Sequence, residues 1–297
     1  MIKTISREAP VLIAGPTASG KSDLAMELAA RDGRIIINAD ALQVFDMWRI
    51  LTARPSLAEE TALPHRLYGH VGRDQAYSVG HWLREVSGLI GQPLVIVGGT
   101  GLNFMALTMG LAEIPAIPAD VRARADALMV SGGIADMLLA IDQATRDRLD
   151  QRNPARVQRA WEVQMTTGRG LASWQAETGP PLLSRHDCTA IVLRPDVAWL
   201  DHRIARRFAK MIAKGALDEV RAALPYWDAP APWAKAIGAP ELIAHLRGDM
   251  SLSAATEAAI LASRQYAKRQ RTWLRKGMHD WQTVAPSDLS TGFSAKS

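Results

Sequence analysis

Four uninterrupted apolar runs punctuate the chain: "APVLIAG" (9–15), "RIIIN" (34–38), "QPLVIVGGTG" (92–101) and "CTAIVLRP" (188–195). Each has the length of a strand, and none alternates with polar residues as a half-exposed strand would. Helical spacing fills "SDLAMELAAR" (22–31) and "VGHWLREVSGLIG" (79–91) between them. Strands apolar on both faces, alternating with helices, predict a parallel sheet covered by helices on either side. From about residue 112 to residue 180 the pattern changes. "IPAIPADVRARADALMVSGGIADMLLAIDQATRDRL" and "NPARVQRAWEVQMTTG" are helical, with Pro and Gly punctuation and no strand candidate. This stretch predicts a helical insertion between two strands of the core. Long amphipathic segments follow at 197–224 and 253–276, and the residues after Pro286, rich in Ser and Thr, read as a flexible tail. The predicted organisation is a discontinuous core (1–111 and 181–286), an all-helical insertion domain (112–180) and a tail (287–297), with no internal repeat.

Composition narrows the class. With 48% hydrophobic and 22% charged residues the chain reads as a soluble globular protein. No apolar run approaches the roughly 20 residues that cross a bilayer, so no membrane association is expected. The first apolar run flows directly into a glycine-rich loop, which marks a core strand and not a signal peptide. Cys188 is the single cysteine, so an intrachain disulfide or a cysteine-built zinc site is excluded. Its apolar surroundings predict a small buried hydrophobe. The seven histidines include no His-x-x-x-His pair, which argues against a histidine metal site. A net charge of +5 is compatible with a polyanionic partner without requiring one.

"GPTASGKS", Gly15 to Ser22, is a complete G-x-x-x-x-G-K-[ST] motif between a buried strand and a helix. Its glycines let backbone N–H groups curl round a phosphate, Lys21 supplies a cation, and Ser22 can reach a magnesium ion. The fold class is therefore a P-loop NTPase-like α/β sheet with a helical insertion. Nucleotide hydrolases of this class commonly carry an acidic residue at the end of a later apolar strand. Here "PLVIV" ends in Gly98, Gly99 and Thr100. A hydroxyl there suits a phosphate oxygen better than a metal, which weakens a motor or switch reading. Small-molecule kinases and other diphosphate chemistry remain.

Asp40 follows the second strand, at the edge where open α/β sheets bind ligands. From the residues alone it could cap a helix, hold magnesium, bind a ribose or accept a proton.

The strings "GPTASGKS", "NADALQVF…LTARP", "PHRLYGHV", "YSVGHW", "VIVGGTGLNF", "NPARVQRAWEV", "DHRIARRF" and "RQYAKRQRTWLR" occur in that order from about residue 10 to residue 276. Together they resemble the tRNA dimethylallyltransferase (isopentenyl-diphosphate transferase) family. The resemblance implies transfer of a dimethylallyl group from dimethylallyl diphosphate to N6 of adenosine 37, beside the tRNA anticodon. The loop Gly15, Pro16, Thr17, Ala18, Ser19, Gly20, Lys21 and Ser22 would hold the diphosphate leaving group, not ATP, with Mg2+ at Ser22. Asp40 matches the family's general base, Thr100 a contact to the bridging oxygen, and Arg203 a diphosphate-pairing arginine. Asp40, Ala41, Leu42 and Gln43 match the segment that meets the target base, and Arg156 and Arg159 match residues near the anticodon loop. Lys235 and Gly238 match a loop facing the RNA. The zinc-finger extension of eukaryotic members is absent, which fits a bacterial-type, cytoplasmic enzyme; a monomer is expected.

Two basic stripes would position the RNA by its phosphates. One is Arg203, Arg207, Lys210 and Lys214; the other is Arg264, Lys268, Arg271 and Arg275. Leu200, Ile204, Phe208 and Met211 form the apolar stripe beside the first. Trp161 and Trp174 read as packing residues, with base stacking the alternative. The chain departs from the family in "KAIGAPE", where Ala239 and Pro240 follow Gly238 in place of an aromatic and a cation, which puts that loop's RNA contacts in question. It also carries Asn103 where tyrosine is frequent and Leu51 where glycine is usual.

Overall fold

A computed structural model describes residues 5–289. Six strands form one parallel sheet in the order β3-β2-β4-β1-β5-β6. They are β1 (Val11–Ala14), β2 (Ile35–Asn38), β3 (His65–Arg66), β4 (Leu94–Gly98), β5 (Thr189–Leu193) and β6 (Gln282–Val284). The four apolar runs of the sequence are the four central strands, buried on both faces as helix-covered parallel strands must be. The two edge strands, of two and three residues, have no apolar run to betray them.

Contacts divide the chain into two compact units, one reaching to Thr108 and resuming at Leu183, the other Met109–Leu182. The first unit holds the sheet. Helices α1 (Lys21–Asp32), α2 (Leu57–Ala62), α3 (Val79–Ser87) and α4 (Gly101–Met109) follow its early strands. The second unit is helical: α5 (Ala119–Val130), α6 (Ile134–Ala140), α7 (Gln143–Arg148), α8 (Pro154–Thr167) and α9 (Leu171–Ala176). Its own core gathers Val121, Ala125, Met137, Ile141, Val157, Ala160 and Trp161. Asn153 caps α8 through the Arg156 N–H, with Pro154 at the first helical position, where its missing donor costs nothing. Back in the first unit run α10 (Val197–Ala213), α11 (Ala216–Ala223), α12 (Ala239–Leu246) and α13 (Leu252–Gly277).

Three expectations change. The amphipathic segment 197–224 is two helices, because Gly215 adopts φ 98 and turns the chain between α10 and α11. The segment 79–91 is helical only through Ser87. The tail is ordered where it leaves the sheet: Pro286–Leu289 forms a 3-10 turn, and Leu289 packs into the sheet core. Residues 290–297 of that expectation lie outside the described residues. Cys188 is buried, and burial pushes its thiol up, as fits a hydrophobe and not a nucleophile.

At the amino edge of the sheet, Arg34 is fully buried. It donates to the carbonyls of Ser6 (2.5 Å), Ala9 (2.7 Å) and Leu94 (3.1 Å) and to the Asp32 carboxylate (2.9 Å). One guanidinium thus ties together the starts of β1, β2 and β4. Arg31 and then Arg34 hold the Asp32 carboxyl down at about 2. Because this lies below the ordinary 3.8, the pairing stabilises the fold above about pH 4 and is lost as pH falls towards 2. Arg34→Met should lower the unfolding free energy at pH 7 by about 3–5 kcal/mol, because it takes the donor from three carbonyls and leaves the buried Asp32 carboxylate to Arg31. Urea unfolding measures it, and the gap between the two proteins should narrow below pH 4.

Candidate active site at the carboxyl edge of the sheet

Strands β2, β4 and β1 are neighbours and end in register, Asn38 opposite Val97 and Ala14 opposite Gly98. With strands about 4.8 Å apart, the three segments that follow them open side by side. They carry Asp40, Thr100 and the phosphate loop. No helix starts at Asp40; residues 41–44 form a turn, and the first helix after it begins at Leu57. The helix-cap reading therefore falls. One Asp40 carboxylate oxygen accepts the Leu42 N–H at 3.0 Å. The other has no hydrogen-bond partner among the described residues. Asn38 fixes the segment by donating to the Asp40 and Leu67 carbonyls and accepting the Asp40 N–H. Buried Trp82 donates to the Asn38 carbonyl at 2.6 Å.

The phosphate loop is braced from the far end of the chain. Gln270 of α13 is buried; it accepts the Thr17 N–H at 2.9 Å and donates to the Gly99 carbonyl at 3.1 Å. A Cβ on Gly99 would lie 2.2 Å from that amide nitrogen, so only glycine admits the contact. Arg203 Nε donates to the Ala18 carbonyl and Arg207 to the Thr17 hydroxyl, both at 3.0 Å. The first basic stripe is thereby split. Arg203 and Arg207 turn onto the phosphate loop and are not an RNA-facing surface, while Lys210 and Lys214 are exposed. In the second stripe Arg264, Lys268 and Arg275 are exposed and Arg271 is half-buried.

Lys21 is half-buried and donates to the Pro16 carbonyl. Burial first, and Arg207 second, push its ammonium down to about 8, while Asp40 and Asp23 partly oppose this. Ser22 is exposed one residue into α1. The Thr100 hydroxyl accepts the Ala41 N–H at 3.0 Å, which leaves its own proton to donate.

The phosphate loop and Asp40 open onto a cleft that is continuous with solvent. Thr17, Lys21, Asp40 and Arg207 line its polar end; Leu42, Leu51, Ile204, Phe208, Met211 and Ile237 supply apolar walls. Leu51, one of the sequence departures, thus shares a cleft with Asp40 and Lys21. Ser263 and Tyr266 of α13 complete the lining, and burial pushes the Tyr266 hydroxyl up. Gln43 also lines it, with both amide hydrogens committed to the Thr52 (2.8 Å) and Ala53 (3.0 Å) carbonyls. Only its carbonyl oxygen remains to meet a ligand.

Of the other sequence candidates, Ala41 and Lys235 are exposed. Gly238 is not: it is buried, and a Cβ there would lie 2.8 Å from Phe208 and 2.9 Å from Leu51. It shapes the cleft wall and presents no surface to RNA. In the helical unit Arg156 is exposed, and half-buried Arg159 lies 3.8 Å from Glu162. Trp161 is buried and Trp174 donates to Thr167, so both are packing residues. Sequence reasoning missed Gln270, Tyr266 and Ser263, although the quoted "RQYAKRQ" contains two of them; Asn38 and Trp82 were also passed over.

Among the described residues no group of three or more His, Cys, Asp or Glu could hold a metal ion, and no helix is long and apolar enough to cross a membrane. A family model described as IPP transferase matches residues 43–277. A tRNA dimethylallyltransferase of Cereibacter sphaeroides is 64% identical over 94% of this chain and 90% of its own length. One from Dinoroseobacter shibae is 63% identical over 96% of this chain and 97% of its own. The crystal structure of a full-length tRNA isopentenylpyrophosphate transferase from Bacillus halodurans superposes with TM-score 0.68 at 28% identity, covering 96% of this chain and 92% of that one. A eukaryotic dimethylallyltransferase acting on tRNA shares the fold, with TM-score 0.79 at 24% identity over 96% of this chain and 76% of its own. With the family model covering residues 43–277 and these relatives covering nearly the whole length, the chain belongs to the IPP transferase family.

Proposed function

We propose that this protein transfers a dimethylallyl group from dimethylallyl diphosphate to N6 of adenosine 37 in tRNA. The observation that carries it is a phosphate loop opening onto an apolar cleft with a carboxylate, Asp40, at the junction. A diphosphate on the loop would meet Lys21 and the loop amides from Gly15 to Ser22 on one side. The terminal nitrogens of Arg203, which have no hydrogen-bond partner among the described residues, and the Thr100 hydroxyl would meet it on the other. These donors stabilise charge that grows on the departing oxygen as the allylic C–O bond breaks. The new bond forms between that carbon and the adenine N6, and Asp40, through its unpartnered oxygen, takes the proton that N6 releases. The reaction consumes no nucleotide. Mg2+ suits Ser22 as its single protein oxygen, the rest of its shell coming from diphosphate and water; the ion would neutralise leaving-group charge.

The target base must leave its stack to reach Asp40, at a cost of a few kcal/mol. Ala41, Leu42 and the carbonyl oxygen of Gln43 would meet it, the latter accepting from a base edge. Arg156 and Arg159 of the helical unit, Lys235, and the exposed Lys and Arg residues of α10 and α13 are assigned to RNA phosphates. We place the enzyme in the cytoplasm, acting as a monomer.

Incubation of the protein with tRNA and dimethylallyl diphosphate, followed by mass spectrometry of the nucleosides, should yield N6-dimethylallyladenosine without ATP. No prenylated nucleoside in any tRNA, or ATP consumption with a phosphorylated product, refutes the assignment. Asp40→Asn should lower turnover by about 10²–10⁴-fold while tRNA affinity stays within about threefold, by filter binding. The pH profile gives a second check. In the free enzyme Lys21 is charged below about 8 and neutral above it. Because kcat/KM for the donor reports the free enzyme, it should fall about tenfold per pH unit above 8. Lys21→Arg, whose guanidinium keeps its proton, should flatten that limb.

A further inference from the structure

We propose that Leu51, Phe208 and Met211 form a stop that restricts the donor's hydrocarbon to a single isoprene unit. The inference rests on the donor reading above and concerns a choice the polar end cannot make. Every prenyl donor carries the same diphosphate, so chain length must be read at the apolar end.

Helix α10 lays the cleft out in order. Ile204, Arg207, Phe208 and Met211 line it at i, i+3, i+4 and i+7, along one helix face. The arginine end is tied to the phosphate loop, Arg203 through Ala18 and Arg207 through Thr17. Met211 lies one turn beyond Arg207, a rise of about 6 Å. From the reacting carbon to its terminal methyls, a dimethylallyl group spans three carbon–carbon bonds, roughly 4 Å. It fits within that turn. A second isoprene unit would run into Leu51 and Met211.

The stop has little freedom to retreat. Leu51 is 4% and Phe208 3% exposed. The carboxylate of Glu219 in α11 accepts the backbone N–H groups of Arg49 (2.5 Å), Ile50 (3.0 Å) and Leu51 (2.8 Å). Gln43 holds the next two carbonyls, those of Thr52 and Ala53. The segment carrying Leu51 is therefore gripped on both sides. Behind it stands Gly238, at φ 97, whose missing side chain is the space that Leu51 and Phe208 already fill. Close packing of this kind transmits an added methylene as strain and does not absorb it.

The test is transfer to tRNA from dimethylallyl diphosphate and from geranyl diphosphate, each product quantified by nucleoside mass spectrometry. The wild-type protein should prefer the five-carbon donor by more than about 200-fold in kcat/KM, the upper limit of what a single-methylene difference delivers. Leu51→Ala and Met211→Ala should each raise the geranyl-to-dimethylallyl ratio by at least about tenfold, mainly through the geranyl KM. Because the ratio is taken within one protein, loss of folded material cancels. An unchanged ratio in both variants overturns the stop, as does a Leu51→Ala effect confined to the KM for tRNA, which would place the wall against the nucleobase. Free use of geranyl diphosphate by the wild type overturns this inference alone. Transfer of neither donor overturns the donor reading, and the stop with it.

Discussion

The buried amide of Gln270 is the contact on which the site depends. Its oxygen takes an N–H of the phosphate loop and its nitrogen reaches the carbonyl of Gly99, so two loops after adjacent strands share one brace. The phosphate loop puts Ala18 at φ 61, a conformation a non-glycine residue adopts only when its surroundings impose it. Arg203 and Arg207 impose it further, by donating to Ala18 and Thr17. A site begun in the first forty residues is thus completed by helices more than 180 residues later, which is why the chain returns to the sheet after its helical unit.

Those braces set an electrostatic problem as well. Lys21, Arg203 and Arg207 crowd one loop, and the low proton affinity of Lys21 records both its burial and the repulsion of Arg207. Asp40 and Asp23 compensate only in part. Such a cluster is open to an anion, and a bound diphosphate would supply the missing counter-charge. The same reasoning bears on Asp40. Among the described residues it makes no ion pair, and a single N–H engages its carboxylate. A carboxylate left with one bare oxygen at the junction of a cationic and an apolar wall is available to a proton donor from the substrate.

How much of this the chain announces depends on whether the signal is local. The four central strands are legible because burial on both faces forces a continuous apolar run, and the phosphate loop because its backbone geometry demands glycines at fixed spacing. Asp40 was legible through its place after β2, while the role proposed for it rests on resemblance. The edge strands were not, since two or three half-exposed residues carry no periodicity. The basic stripe of α10 misled for a physical reason. Periodicity assigns residues to a face but cannot tell a face that meets water from one that meets another loop, so Arg203 and Arg207 looked like the exposed Lys210 and Lys214. Gln270 was hidden in the same way, a polar residue on a helix whose partners lie 253 and 171 positions away. Gly238 looked like surface because glycines mark loops; here its φ of 97 and the crowding by Phe208 and Leu51 place it inside.

The two edges of the sheet divide stability from chemistry. At the amino edge Arg34 faces Asp32 and three carbonyls, so its charge and each of its three nitrogens are answered within the protein. A satisfied buried network fixes the relative placement of the strands it joins, here β1, β2 and β4. Those are the three strands whose other ends carry the phosphate loop, Asp40 and Thr100. The carboxyl edge can therefore carry uncompensated cations, a carboxylate oxygen without a partner and a strained loop, because strand register does not rely on them. Parallel direction makes the separation possible: with every strand pointing the same way, all the ends that must be quiet gather on one side and all the ends that must react gather on the other.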